Sequence, residues 1–281
     1  MAGSAARTVP RVVLGLELQR LRGQTGTTVE QVMDALQWES ASKVSRIENG
    51  QGRLAPAEVD VLARLFQLDA QATERLRTMG AEARKTASYG RTPDWARTYV
   101  EWEAHANHIR TYEAELVPGL MQTPEYTRAV FESWFTDQAT IDTMVDDRIR
   151  RQKTMERDSP PVLYAVLSEA VLRRVIGSPA IMSEQLSRLL DLAERPNVLV
   201  QVLPYSAGAH AAIGVNFVLL ELRDLDMSTV YIEGLTSADY LDGSRHVDTY
   251  RLAFERIQAS ALGPPETVRL LQQLRDDFRQ E

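Results

Sequence analysis

Residues 28–50, TVEQVMDALQWESASKVSRIENG, decide the reading of this chain. Thr28 opens a helix over Val29 to Leu36, and Gln31 stands three residues on, where its side chain can return the cap. Ser40 caps a second short helix that runs through Glu48 and stops at Asn49–Gly50, two residue types that suit a helix end. Few residues separate the two helices, which is the spacing of a helix-turn-helix. At about 100° per residue, Val44 and Ile47 share one side of the later helix, while Ser42, Ser45, Arg46 and Asn49 fall on the other. The apolar side is expected to pack, leaving the polar side free to enter the major groove of DNA.

In that groove an arginine bonds guanine O6 and N7 together, with roughly 1–3 kcal/mol of discrimination per pair, so Arg46 is the expected base reader. Ala41 and Ser42, toward the N-terminal end of the helix, and Ser45 add small apolar and hydroxyl contacts to base edges. Lys43 flanks the groove and is expected on phosphate. Thr28, Asn49 and Arg53 are the other expected phosphate contacts, Thr28 through the amino end of its helix. One short helix touches few base pairs, so a homodimer on half-sites about 10 bp apart is expected.

Outward from this stretch, Val12, Val13, Leu16 and Leu21 mark a preceding helix that runs into Gly23. Pro56 fits the first turn of a fourth helix with Val59, Leu62, Ala63 and Phe66, and Asp69 precedes a fifth with Leu76 and Met79. Residues 11–85 therefore read as an all-α, five-helix domain behind a disordered lead at 1–10, with 86–93, TASYGRTP, as a linker.

Residues 94–281 change character. Trp95, Tyr99, Trp102, Ala106 and Ile109, spaced 4, 3, 4 and 3, predict one helical stripe, packed within its domain or forming a dimer seam. Pro124 opens a helix through Trp134, and a charged helix follows from Ala139 to Arg157. Val162–Leu167, Val198–Leu203, Val215–Leu222 and Ser228–Glu233 have strand length and composition, and helices over Arg245–Ala261 and Glu266–Phe278 close the chain. The pattern implies an α+β domain with one mostly antiparallel sheet flanked by helices.

The composition, 44% hydrophobic and 25% charged in 281 residues, is that of a folded globular protein. The absence of cysteine excludes disulfides, thiolate metal sites and cysteine nucleophiles. No apolar run approaches the ~18 residues of a membrane span and no secretory leader is visible, so a cytoplasmic protein without membrane contact is expected. The net charge of −7 is uneven: 12 Lys/Arg stand against 10 Asp/Glu through Lys85, and 20 against 29 beyond it. A mildly basic module on an acidic body can meet DNA locally.

Signals for catalysis are weak. Glu101, His105 and His108 at i, i+4 and i+7 would share a helix face able to hold a divalent metal, but no further ligand follows. His210, in a glycine-containing loop between strands, and Glu233, at a strand end beside Gly234, mark a possible ligand or partner site. Nucleophile-elbow and phosphate-loop signatures are absent, so neither enzyme activity nor a cofactor or metal is expected.

Ser42-Lys43-Val44-Ser45-Arg46-Ile47-Glu48-Asn49-Gly50 resembles the recognition helix and exit turn of the Cro/repressor-type, xenobiotic-response-element (XRE) class of regulators. In that class an arginine of the first helix often pairs with the glutamate near the end of the recognition helix. The resemblance thus implies a structural brace between Arg22 and Glu48. Gln37 stands where the class usually has glycine in the turn, the Trp38–Ser40 stretch is one residue longer than the tightest version, and Val29 replaces a glutamine that often meets phosphate. Further on, Ile109–Glu113, Leu116–Tyr126, Arg148–Gln152, Val202–Pro204, Gly208–His210 and Val230–Glu233 resemble the C-terminal domain of a large actinobacterial regulator family, in which this reader precedes an antitoxin-like domain of Scr type. That resemblance implies a transcription factor whose C-terminal domain binds a small acidic or neutral protein from a neighbouring gene. It also leaves open an antitoxin-like protein whose main activity is sequestering that partner.

Overall fold

The computed structural model describes residues 9–84, 94–222 and 226–280. The chain divides into two compact units, Met1–Ser88 and Tyr89–Glu281. The expected linker at 86–93 and the lead as far as residue 8 lie outside the described residues.

Five helices build the first unit: α1 (Val9–Thr25), α2 (Val29–Leu36), α3 (Ala41–Glu48), α4 (Pro56–Leu65) and α5 (Ala70–Arg84). Val9 and Pro10, expected in the disordered lead, belong to α1. Proline suits a first turn because no N–H is needed there, and Val9 is only 1% exposed. The helix also continues past Gly23 to Thr25. Thr28 and Gln31 form the reciprocal cap of α2: the Thr28 hydroxyl accepts from Gln31 N at 3.2 Å and Gln31 Oε1 accepts from Thr28 N at 2.8 Å. Leu14, Leu18, Val32, Val44, Ile47 and Leu62 join in one core shared by the first four helices.

In the second unit a mixed sheet of six strands is flanked by helices. The order is β3 (Val198–Leu203), β2 (Val162–Ser168), β1 (His108–Glu113), β4 (Phe217–Leu222), β5 (Met227–Glu233) and β6 (Ala238–Leu241). Pairings β3–β2 and β2–β1 are parallel, whereas β1–β4, β4–β5 and β5–β6 are antiparallel. The parallel crossovers carry α7 (Pro124–Glu132) and α8 (Gln138–Gln152), then α9 (Glu169–Arg173) and α10 (Pro179–Ala193). Last come α11 (Ser244–Ser260), which packs on the central strands, and α12 (Pro264–Gln280), which lies against α10 and β3.

Successive strand residues point to opposite faces, and both faces are covered. Val230 joins Phe254 and Ile257 of α11, while its neighbour Tyr231 stacks at 4.4 Å on Tyr99 of α6 (Asp94–His105). All six residues of β4 are accordingly buried.

The expected helical stripe does not extend to Ile109, which lies in β1. After α6 ends at His105, Arg157 caps it by donating to the carbonyls of Ala104 at 2.6 Å and Ala106 at 2.7 Å. Asn107 N then bonds Glu221 O at 3.0 Å and the chain enters β1, with Ile109 between Leu163 and Leu220. Strands β1 and β6 were not anticipated, β4 begins at Phe217 rather than Val215, and the charged helix gives way at Lys153 to a tighter turn.

Candidate nucleic-acid interface

The helix α3 is held from behind and free in front. Val44 and Ile47 are 2% and 7% exposed. Ala41, Ser42, Ser45, Arg46 and Asn49 are exposed, and Lys43 is half-buried. Ser40 starts the helix, its hydroxyl accepting from Ser42 N at 3.2 Å. Gly50 ends it at φ +71, where a Cβ would stand 2.7 Å from a Val12 methyl. On α1, Gly15 meets the end of α3 so closely that a Cβ would lie 2.3 Å from the Glu48 carbonyl oxygen. The contact between these helices is therefore backbone against backbone.

Arg22 reaches across from α1. Its Nε donates to Glu48 Oε1 at 2.6 Å and its Nη2 to Oε2 at 3.0 Å, a two-bond fork that raises the arginine pKa. The turn between α2 and α3 passes through Gln37 at φ 53, left-handed backbone at the position where the resemblance calls for glycine. Trp38 follows, 8% exposed, and donates its indole N–H to Glu58 Oε1 at 3.0 Å. Sequence reasoning named Trp38 only as part of a lengthened turn and did not single out Glu58 or Gly15. A carboxylate three residues after Ala55, at the start of α4, was the one available signal, and there Glu58 Oε2 accepts from Ala55 N at 2.7 Å.

Arg46 lies along its own helix, with Nε 3.4 Å from the Ser42 carbonyl, so a rotamer change carries the guanidinium outward. Asn49 donates from Nδ2 to the Ser45 carbonyl at 2.8 Å. Thr28 and Arg53 are exposed. The arrangement offers donors and hydroxyls along one solvent-facing side, backed by a rigid core.

In the second unit, Glu101, His105 and His108 do not share one helix face. His105 ends α6, its Nδ1 2.8 Å from the Glu101 carbonyl, and His108 starts β1. No group of three potential metal ligands occurs among the described residues. His210 sits against Tyr112, with Nε2 3.2 Å from the phenol oxygen, and its Nδ1 is 3.4 Å from Ala212 N. Glu233 is exposed at the end of β5, and no contact joins it to His210 among the described residues.

A polar network in the second unit centres on Glu103, a residue that the sequence did not flag. Arg151 forks onto buried Glu103 at 2.9 and 3.0 Å, and the Tyr99 hydroxyl donates to Glu103 at 2.6 Å. Burial, with Glu103 adding to it, drives the Tyr99 phenol far above its usual range. Burial also pushes Glu113 up to about 8 and lowers Arg148 to about 10.

No helix among the described residues is long and apolar enough to cross a membrane. No curated protein matches the chain, and no solved structure does. Residues 13–76 match the family model described as "Helix-turn-helix domain", which supports a DNA-binding regulator. Residues 96–273, more than half of the chain, match the family described as "Domain of unknown function (DUF5753)", and the chain belongs to that family.

Proposed function

We propose that this protein is a sequence-specific transcriptional regulator of the cytoplasm that sets the exposed side of α3 into a major groove. Arg46 reads a guanine, Ala41, Ser42 and Ser45 contact base edges, and Thr28, Lys43, Asn49 and Arg53 hold phosphates. Two copies act together on paired half-sites, and no catalysis is assigned. The observation that carries this reading is the contrast within α3, where Val44 and Ile47 are buried and Ser42, Ser45 and Arg46 are exposed. Selection from a pool of randomised duplexes by the full chain tests it. A two-fold repeated motif should be enriched, and a pool that stays random after repeated rounds contradicts the proposal.

The C-terminal unit serves, in this reading, to bind a small acidic or neutral protein and to assemble the regulator. Tyr205, Ile213 and Leu235, 61%, 68% and 94% exposed, support it. They lie in the loops after β3, before β4 and after β5, all at the same end of the sheet, the end that this reading gives to the partner. Co-expression with the product of an adjacent short gene should yield a complex that Ile213→Ser with Leu235→Ser weakens. Separate elution of the two wild-type proteins contradicts this role.

A further inference from the structure

Glu58, in the first turn of α4, is fixed by two donors, Ala55 N–H at 2.7 Å on Oε2 and Trp38 Nε1–H at 3.0 Å on Oε1. Lys43 Nζ stands 3.8 Å from that same Oε1 and 4.1 Å above the Trp38 ring. The side chains of Lys43 and Glu58 keep 43% and 26% exposure, so this is an ion pair at the rim of the reading side rather than in the core. Its two halves differ in freedom. The carboxylate is pinned by the cap of α4 and by the indole, whereas Lys43 pivots on a flexible four-carbon stem. The indole face holds the ammonium in the same place as the carboxylate does. A phosphate that takes Lys43 must therefore draw it away from both, and the negative charge of Glu58 stays behind at the edge of the groove.

We infer that Glu58 is a restraining residue for the DNA reader: it keeps Lys43 folded onto Trp38 in the free protein and competes with phosphate for the ammonium. Lys43 carries no base readout, so the restraint weakens binding to duplexes of every sequence and leaves discrimination to the base-facing residues. The inference rests on α3 being the DNA reader and adds an opposing charge to it.

The test is a double-mutant cycle on the full chain with Glu58→Gln, Lys43→Met and both together. Each is titrated against a mixed-sequence duplex of about 30 bp by fluorescence anisotropy over a salt series, a length that spans two half-sites about 10 bp apart. Glu58→Gln should bind about 3- to 5-fold tighter at low salt, the scale of a partly exposed ion pair. It should also steepen the slope of log K against log salt by at most about 0.9 per bound protomer, one further phosphate contact each. Both effects should vanish when Lys43→Met is present. A structural role for Glu58 alone would lower the melting temperature without changing the salt slope.

A wild-type protein that binds no duplex overturns the reader and this inference together. A wild type that binds, with Glu58→Gln no tighter or with a gain that survives Lys43→Met, overturns the inference alone. Should Glu58→Gln fail to fold, the indole N–H resonance of Trp38, assigned through Trp38→Phe, supplies the readout in the wild type. It should move on saturation with DNA and move less in Lys43→Met, and a resonance that moves equally in both contradicts the restraint.

Discussion

Arg22 and Glu48 meet through two parallel hydrogen bonds, of 2.6 and 3.0 Å, that tie the C-terminal part of α1 to the last residue of α3. The pair is only partly open to water, with 22% and 13% side-chain exposure. Its net contribution is small because desolvation offsets much of the attraction, yet removing one partner strands the other. Glu48→Ala should therefore lower the protection of α3 amides in hydrogen exchange by about 1–3 kcal/mol. Arg22→Met with Glu48→Leu should recover most of that loss, and equal losses in the single and double variants would contradict the brace.

The second tie between these helices allows no side chain. A Cβ on Gly15 would lie 2.3 and 2.7 Å from the carbonyl oxygens of Glu48 and Ile47. Backbone cannot yield as a flexible side chain does, so Gly15→Ala should cost about 1–3 kcal/mol. It should also weaken duplex binding, because α3 is displaced as a body. Unfolding curves and titrations identical to wild type would show that the close approach is not maintained in solution.

The turn before α3 carries strain that a single substitution relieves. Gln37 has φ 53 and ψ 44, where a Cβ is disfavoured. Gln37→Gly removes that penalty and adds some freedom to the unfolded chain, for a net gain of roughly 0.5–1 kcal/mol in denaturant unfolding. A destabilised variant would mean that the Gln37 side chain has a role its position does not display.

What was legible in the sequence follows from how each segment meets its own demands. The helix α3 announces itself through Ser40, Val44, Ile47 and Gly50, because caps and a 3.6-residue period are local. Strand β4, FVLLEL, is equally plain because both of its faces are covered and its residues are nearly all apolar. Strand β1, HIRTYE, lies between β2 and β4 yet looks polar, since its polar side chains find partners far along the chain: Arg110 pairs with Glu221, and Tyr112 meets His210. Those partners cannot be read from spacing, and the preceding aromatic period carried the helix expectation across Ala106 into the strand. Edge strand β6, Ala238–Leu241, is too short to leave a pattern. At the interface, the exposed residues of α3 were legible, whereas the Trp38–Glu58–Lys43 contact depends on how α2 and α4 meet.

A half-buried titrating group in the second unit sets a pH dependence. Burial raises Glu113 from the ordinary 4.5 to about 8, with Glu233 pushing the same way and the Thr111 hydroxyl and Arg148 opposing. Between these two values the folded chain holds a proton that the unfolded chain releases, so stability falls as pH rises through that window and levels off above it. Glu113→Gln still accepts the Thr111 hydroxyl, which stands 3.1 Å from Glu113 Oε1, and it carries no charge. It should be more stable than wild type by roughly 1–3 kcal/mol at high pH, with the difference shrinking toward acid, in denaturant unfolding followed across pH. A constant difference across pH would place the titration elsewhere.

The central claim, that the exposed side of α3 reads bases through Arg46, is tested most directly by titrating wild type and Arg46→Ala against the duplex that the wild type selects and against single-base variants of it. The account predicts that Arg46→Ala loses about 1–3 kcal/mol on the selected duplex and no longer distinguishes the bases at one position in each half-site, while binding to unrelated DNA is little changed. Equal affinity of the two proteins for the selected duplex, with the same ranking of all single-base variants, would contradict it.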